Sequence, residues 1–142
     1  MITKEADYAV RCVLFLAQTP KEYTSVKEIS GPMQIPVSFL AKILQRLIRG
    51  GIVESIRGAG GGYRLRKTPE EVNLLDVITA IDGPVALNRC VLDPGICKLN
   101  DWCAVHPIWT ELSWELSDRL RKKNFKDLLI ASKELLDNVN KT

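Results

Sequence analysis

Three of the four cysteines, Cys90, Cys97 and Cys103, and the only histidine, His106, fall within one stretch of 17 residues in a chain of 142. Thiolates and a neutral imidazole are soft or borderline ligands, suited to zinc, copper(I) or an iron-sulfur cluster, and a bound metal deprotonates such thiols near neutral pH. Spacing helps to separate these metals. Structural zinc sites take ligands in tight pairs two to four residues apart. Here six residues separate Cys90 from Cys97 and five separate Cys97 from Cys103. The wider span suits a polynuclear cluster, and Asp93-Pro94-Gly95 carries turn chemistry that folds the first loop back so that its thiols converge. Zinc, a disulfide and incidental free thiols stay open as alternatives.

Around that window the chain has the bounds of one domain, or a small domain with an extension, long enough to bury a core without staples. No run approaches the length of a membrane span, and the first residues lack the apolar segment of a signal peptide. A cytoplasmic, reducing setting is therefore expected, which disfavours disulfides.

The net charge of +3 is unevenly distributed. Residues 36–67 hold Lys42, Arg46, Arg49, Arg57, Arg64, Arg66 and Lys67 against the single acid Glu54, a balance of +6 that leaves -3 for the rest. A concentrated positive segment on a mildly acidic body suits phosphate binding, because neutralised phosphates release counterions. A solvated basic surface is the plain alternative unless motifs accompany the charge.

Motifs do accompany it. Residues 3–18 read as a helix, capped by Thr3, with Glu5 and Asp7 in its first turn, an apolar stripe of Ala6, Val10, Val13, Leu14 and Ala17, and Pro20 just past its end. Cys12 inside it reads as a small core residue. Ser25 and Glu28 make a capping box for a short helix from Val26 to about Gly31. A third helix follows Pro36, with Leu40, Ile43, Leu44, Leu47 and Ile48 on one face, and Ser38, Lys42, Gln45, Arg46 and Arg49 on the other, until Gly50-Gly51. The second face carries donors that phosphates and base edges accept from, as a recognition helix requires.

Next comes a hairpin. Ile52–Ile56 and Tyr63–Arg66 read as strands around a tip of Arg57, Gly58, Ala59, Gly60, Gly61 and Gly62, whose glycines allow close approach to a phosphate backbone or a minor groove. A nucleotide-binding P-loop is excluded, since no Gly-Lys-Ser/Thr ends the run and no helix follows it. Helix, turn, helix and basic wing together make a winged helix.

Beyond the wing, Asn73 caps a helix through Leu74, Leu75, Val77, Ile78 and Ile81, closed by Asp82-Gly83-Pro84. After the cysteine loop a long helix runs from about Val105 towards Lys123, with Trp109, Leu112, Leu116 and Leu120 on one stripe. Glu111, Glu115 and Asp118 lie opposite, and Trp114 lies off the stripe. Such a stripe beyond a compact domain buries itself against a second subunit, or else against its own domain. Residues 124–129 read as a final short helix, and the tail to Thr142 is helix-compatible but polar, a composition that favours fraying.

The expected fold is thus mainly α with a small β-hairpin. It divides into a winged helix-turn-helix DNA-binding domain over residues 1–83, a cysteine-rich loop over 84–104, and a dimerisation helix with C-terminal tail over 105–142. A small redox or metal-dependent enzyme is the rival class, but the chain has no second histidine, no carboxylate-rich cleft pattern and no nucleotide motif. A zinc-stabilised or metal-free winged-helix protein that uses its cysteines as thiol sensors is the nearer alternative.

The segment Asp7-Tyr8-Ala9-Val10-Arg11, the helix around Ser38-Phe39-Leu40, the wing Arg57–Leu65, the helix around Asp76-Val77-Ile78 and the three-cysteine loop resemble bacterial winged-helix iron-sulfur transcription regulators typified by IscR and NsrR. The resemblance covers about residues 1–130. It implies a homodimer on double-stranded promoter DNA, whose DNA affinity changes when an iron-sulfur cluster is gained, oxidised, nitrosylated or lost. Cys90, Cys97 and Cys103 are the implied cluster thiols. For the fourth ligand, His106 matches a three-cysteine, one-histidine set around a two-iron cluster, the preferred reading. Asp7 matches members in which an aspartate reaches the partner subunit's cluster, a four-iron arrangement, and Cys12 is a weaker third choice. The implied DNA-binding residues are Ser38, Phe39, Lys42, Gln45, Arg46, Arg49, Arg57, Gly58, Gly60, Gly61, Tyr63 and Arg64. The implied dimer interface holds Trp109, Leu112, Leu116 and Leu120.

Overall fold

The computed structural model describes residues 1–19 and 21–142, so Pro20, expected just past the first helix, lies outside the described residues. In chain order the elements are α1 (Lys4–Gln18), α2 (Val26–Met33), α3 (Val37–Arg49), β1 (Val53–Ile56), β2 (Gly62–Leu65), α4 (Leu74–Asp82), α5 (Arg89–Leu92), α6 (His106–Arg121) and α7 (Phe125–Asn140). The expected class, mainly α with one antiparallel hairpin, is the class observed.

Local chemistry accounts for the helix starts. Thr3 Oγ1 accepts from the Ala6 N–H, and in the box opening α2 the Ser25 Oγ accepts from the Glu28 N–H while the Glu28 carboxylate accepts from the Ser25 N–H. α2 runs two residues beyond the expected Gly31, through Pro32 to Met33. Its end is closed by Gln34 in the left-handed conformation (φ 54°), whose N–H, with that of Ile35, bonds back to the carbonyls of Gly31 and Ser30.

α1 is the hub. It packs against α2, α3, α4, α7 and β2, so its buried set, Ala6, Tyr8, Ala9, Cys12, Val13 and Leu16, is wider than one stripe. Val10, Leu14 and Ala17, expected on that stripe, are only partly buried at its margin. A helix enclosed on several sides needs small or apolar residues all round, and a single-face reading underestimates this. Leu40, Ile43, Leu44 and Leu47 of α3 complete the core from the helix-turn-helix side, as the apolar face of α3 predicts.

The hairpin pairs Val53 with Leu65, Glu54 with Arg64, Ser55 with Tyr63 and Ile56 with Gly62. Thr24, just before α2, adds a further rung, exchanging backbone hydrogen bonds of 2.9 and 2.8 Å with Tyr63. At Gly62 (φ 151°) a Cβ would lie 2.5 Å from the Thr24 carbonyl oxygen, so only glycine allows the approach that joins the wing to the body.

The C-terminal segment is more regular than its polar composition suggests. The short helix and the helix-compatible tail form one element, α7, continuous over 16 residues. Asn124 caps it by accepting from the Asp127 N–H, and neither Gly nor Pro interrupts the following residues. Phe125 is fully buried in the winged domain's core, and its N–H bonds to the Val72 carbonyl at 3.0 Å. The Leu74 N–H bonds to the Lys123 carbonyl at 2.9 Å, so the chain returns from α6 to the domain it left.

Candidate functional site

The cysteine window forms a chain of short turns leading into α6. Asn88 Oδ1 accepts from the Arg89 N–H to start α5, which carries Cys90. Asp93 accepts from the Gly95 N–H at 3.1 Å, so the turn expected at Asp93-Pro94-Gly95 forms as a 3-10 turn, and Cys97 follows it. A second 3-10 turn, Asn100–Trp102, leads to Cys103, and His106 is the first residue of α6. Upstream, the Leu87 N–H donates to the buried Ser113 Oγ at 2.9 Å, which fastens the start of the loop to the middle of α6.

Cys90 and His106 are brought together, with Sγ and Nδ1 3.3 Å apart. All three loop thiols are half-buried and unbridged. Among the described residues no three His, Cys, Asp or Glu side chains gather as a metal-binding group, so Cys97 and Cys103 do not join the Cys90–His106 pair. The buried Oδ1 of Asn100, between these two cysteines, has no hydrogen-bond partner, a condition that costs about 1–3 kcal/mol. The donor set fits an iron-sulfur centre in its chemistry, and of its four members Cys90 and His106 are the two brought together.

The other two candidates for fourth ligand are placed differently. Asp7 sits on the exposed side of α1 with its carboxylate 2.7 Å from the Arg11 guanidinium. Cys12 lies in the core, where burial pushes its thiol up to about 12. An inert structural thiol is the result.

The basic face is built by α3 and the hairpin. Ser38, Phe39, Lys42, Gln45 and Arg49 are exposed along α3, and Arg57, Gly58 and Gly60 are exposed at the wing tip. Gln45 and Ile48 of α3 line a cleft of about 370 Å³ with Ser55, Ile56, Arg57, Gly62 and Tyr63 of the hairpin. A Cβ at Gly61 would lie 2.4 Å from the Ile56 carbonyl oxygen, so the tip needs glycine there for close packing.

Two arginines expected on this face are engaged within the protein. Arg64 Nε donates to Glu54, its cross-strand neighbour, at 2.5 Å, which raises the guanidinium's pKa further, and its guanidinium lies 4.7 Å from the centre of the Tyr23 ring. Arg46, 39% exposed along its side chain, lies at the edge of the open face of α3 and bonds to two neighbouring helices. It donates to Glu5 at 2.7 Å and to the Ile81 carbonyl at 2.6 Å. Nothing in local periodicity shows which neighbour will supply a carboxylate to a flank position. Arg66 and Lys67 belong to the basic segment but not to the expected contact residues, and both are exposed just beyond β2.

On α6 only Ser113 is buried. Leu112 and Leu116 are 41% and 37% exposed, Trp109 and Leu120 are half-buried, and Trp114 is open to solvent. Leu116 also lines a cavity of about 390 Å³ with Ile2, Ile78, Val85 and Leu87, so part of the stripe leans on its own domain. No helix among the described residues is long and apolar enough to cross a membrane.

Comparison with known proteins places this architecture. The chain is 36% identical over 137 residues to the HTH-type transcriptional regulator IscR of Pectobacterium carotovorum subsp. carotovorum (strain PC1), covering 96% of this chain and 82% of that one. Its fold matches the solved structure of T. potens IscR with a TM-score of 0.77 at 21% identity, over 95% of this chain and 90% of the other. It also matches CymR, the global cysteine regulator of B. subtilis, with a TM-score of 0.76 at 24% identity, over 92% and 97% of the two chains. Residues 2–131 match the family model described as Rrf2, iron-dependent transcriptional regulator, and with its winged helix and basic face the chain belongs to that family of regulators and is not an enzyme.

Proposed function

We propose that this chain is a homodimeric transcription regulator that binds promoter duplexes through α3 and the wing, with DNA affinity set by an iron-sulfur cluster on Cys90, Cys97, Cys103 and His106. The observation that carries the reading is the 3.3 Å pairing of Cys90 with His106 at the start of α6. It puts two of the four candidate ligands together at the junction between the loop and the stripe-bearing helix. When bound, the cluster supplies a one-electron redox centre that is also reactive towards nitric oxide. The protein's part is mechanical: gathering Cys97 and Cys103 towards Cys90 orders the loop that Leu87 fastens to α6, and α6 sets the spacing of two recognition helices. Half-sites about 34 Å apart on a palindrome make small rotations count.

A two-iron cluster with His106 is the preferred form, and a four-iron cluster using Asp7 is the competing one. Anaerobic purification with absorption spectroscopy and iron, sulfide and zinc analysis tests the proposal. Thiolate-to-iron bands with stoichiometric iron and sulfide are expected, and colourless protein with stoichiometric zinc would sink the cluster. Loss of the native spectrum in His106→Ala with its retention in Asp7→Ala is expected; the reverse replaces His106 with Asp7. The incompletely gathered thiols favour a second reading, a zinc-stabilised or metal-free regulator that senses through the thiols. It predicts DNA affinity that responds to thiol oxidation in iron-free protein.

A further inference from the structure

At Arg46 three helices meet on one guanidinium. Nη1 donates to the Glu5 carboxylate of α1 at 2.7 Å, and Nη2 donates at 2.6 Å to the carbonyl of Ile81, in the last turn of α4. That carbonyl is among the last four of its helix, which have no intrahelical donor, and a cation is favoured at this end of the helix dipole. The next residue, Asp82, accepts from both the N–H and the hydroxyl of Thr3, the cap of α1. One polar network therefore joins the start of α1, the end of α4 and the middle of the recognition helix. The end of α4 leads directly into the segment that Leu87 fastens to Ser113 of α6.

We infer that Arg46 is a positioning residue for DNA recognition, which fixes the tilt of α3 against α1 and the end of α4 and does not itself neutralise a phosphate. The guanidinium's planar fork suits this task, because it bonds a carboxylate and a carbonyl at once, and a lysine ammonium is a point charge without that geometry. Although the side chain is 39% exposed, its charge is already paired with Glu5 and its fork is held by two acceptors on two other helices. The inference rests on the DNA-binding reading above.

Binding of the full-length protein to a duplex from the region upstream of its own gene, followed by fluorescence anisotropy across a salt series, separates the two roles. Folding and melting temperature are checked for each variant. Arg49→Ala serves as the phosphate-contact control on the same helix, and it lowers the salt slope by about 0.9. Arg46→Ala and Arg46→Lys are both expected to weaken binding by roughly five- to tenfold with the slope unchanged, an ordinary size for coupling between linked sites. Glu5→Gln, which removes an acid, is expected to weaken binding in the same direction, and its combination with Arg46→Ala to be no worse than Arg46→Ala alone.

A phosphate contact predicts the opposite pattern: full function in Arg46→Lys, a slope lowered by about 0.9 in Arg46→Ala, and unchanged or tighter binding in Glu5→Gln. Any of these overturns the inference while the Arg49→Ala result leaves DNA binding standing. A fall in melting temperature with unchanged affinity of the folded protein overturns it too, because the role is then structural only. If Arg46→Ala does not fold, the near-isosteric Glu5→Gln decides alone. Wild-type protein that binds no duplex removes the DNA-binding reading and the inference together.

Discussion

Cys12 and the three loop cysteines share a side chain and little else. Burial in the core pushes the Cys12 thiol up to about 12, whereas Cys90, Cys97 and Cys103 are half-buried in surface turns. Since the thiolate is the nucleophile, native metal-free protein treated with a maleimide at neutral pH should take up three labels by mass spectrometry, and a fourth only in denaturant. Rapid labelling of Cys12 in the native state would contradict the packing of α1. Acid stability is also set by individual side chains. Glu28 is held below the ordinary glutamate range by its hydrogen bond from Lys21 and then by the Ser25 N–H, and Glu71 by the N–H and then the hydroxyl of Thr68. Both therefore bind protons more weakly folded than unfolded, and their stabilisation is complete at neutral pH. It is lost as the pH falls from the unfolded value of about 4.3 through the depressed folded ones. Melting temperature should drop across that window, and less steeply in Glu28→Ala and Glu71→Ala; equal slopes in wild type and variants would show that these caps contribute nothing.

The wing is the element whose geometry depends most on one residue. Gly62 combines a positive φ with a would-be Cβ 2.5 Å from the Thr24 carbonyl, so Gly62→Ala must either break the Thr24–Tyr63 rung or shift β2. A destabilisation of about 1–3 kcal/mol is expected, with DNA affinity falling because the wing no longer sits beside α3. Gly60→Ala is the useful comparison: no atom lies within 4 Å of its would-be Cβ, and its φ of 77° adds strain only at the exposed tip. Equal melting temperatures for Gly62→Ala and wild type would mean that the rung does not anchor the hairpin. α7 shows a different dependence, since only its first turns reach the core through Phe125 and Leu128, while Leu135, Leu136 and Val139 are exposed.

For the molecule as a whole, α6, like the far end of α7, leaves apolar side chains uncovered. Leu112 and Leu116 stay more than a third exposed in one copy of the chain, and Trp114 and Ile108 more than half. A second subunit that covers this helix would bury them, and truncating one such leucine in a closed interface costs about 2–5 kcal/mol. Sedimentation velocity should show a dimer for the wild type at micromolar concentration and a shift to monomer for Leu112→Asp, which puts a charge into the expected interface. A stable wild-type monomer would defeat both the interface and the palindrome argument.

How much of this could be read from the residues follows from the range over which each interaction acts. Caps at Thr3, Ser25 and Asn73, the apolar face of α3, the glycine tip of the wing and the turn at Asp93-Pro94-Gly95 depend on neighbours a few positions away, and each appears where local pattern puts it. The clustering of Cys90, Cys97, Cys103 and His106 is likewise visible in one window, though only folding brings Cys90 Sγ beside His106 Nδ1. Four features had no local sign. They are the enclosure of α1 on several sides, the return of Phe125 to the core, the Thr24 rung on the wing, and the bonds of Arg46 to Glu5 and Ile81, contacts between residues 41 and 35 positions apart. A helical period tells which residues share a face. Whether a flank position meets solvent, DNA or a distant carboxylate depends on the packing of other elements against it, and that arises only when the whole chain is folded.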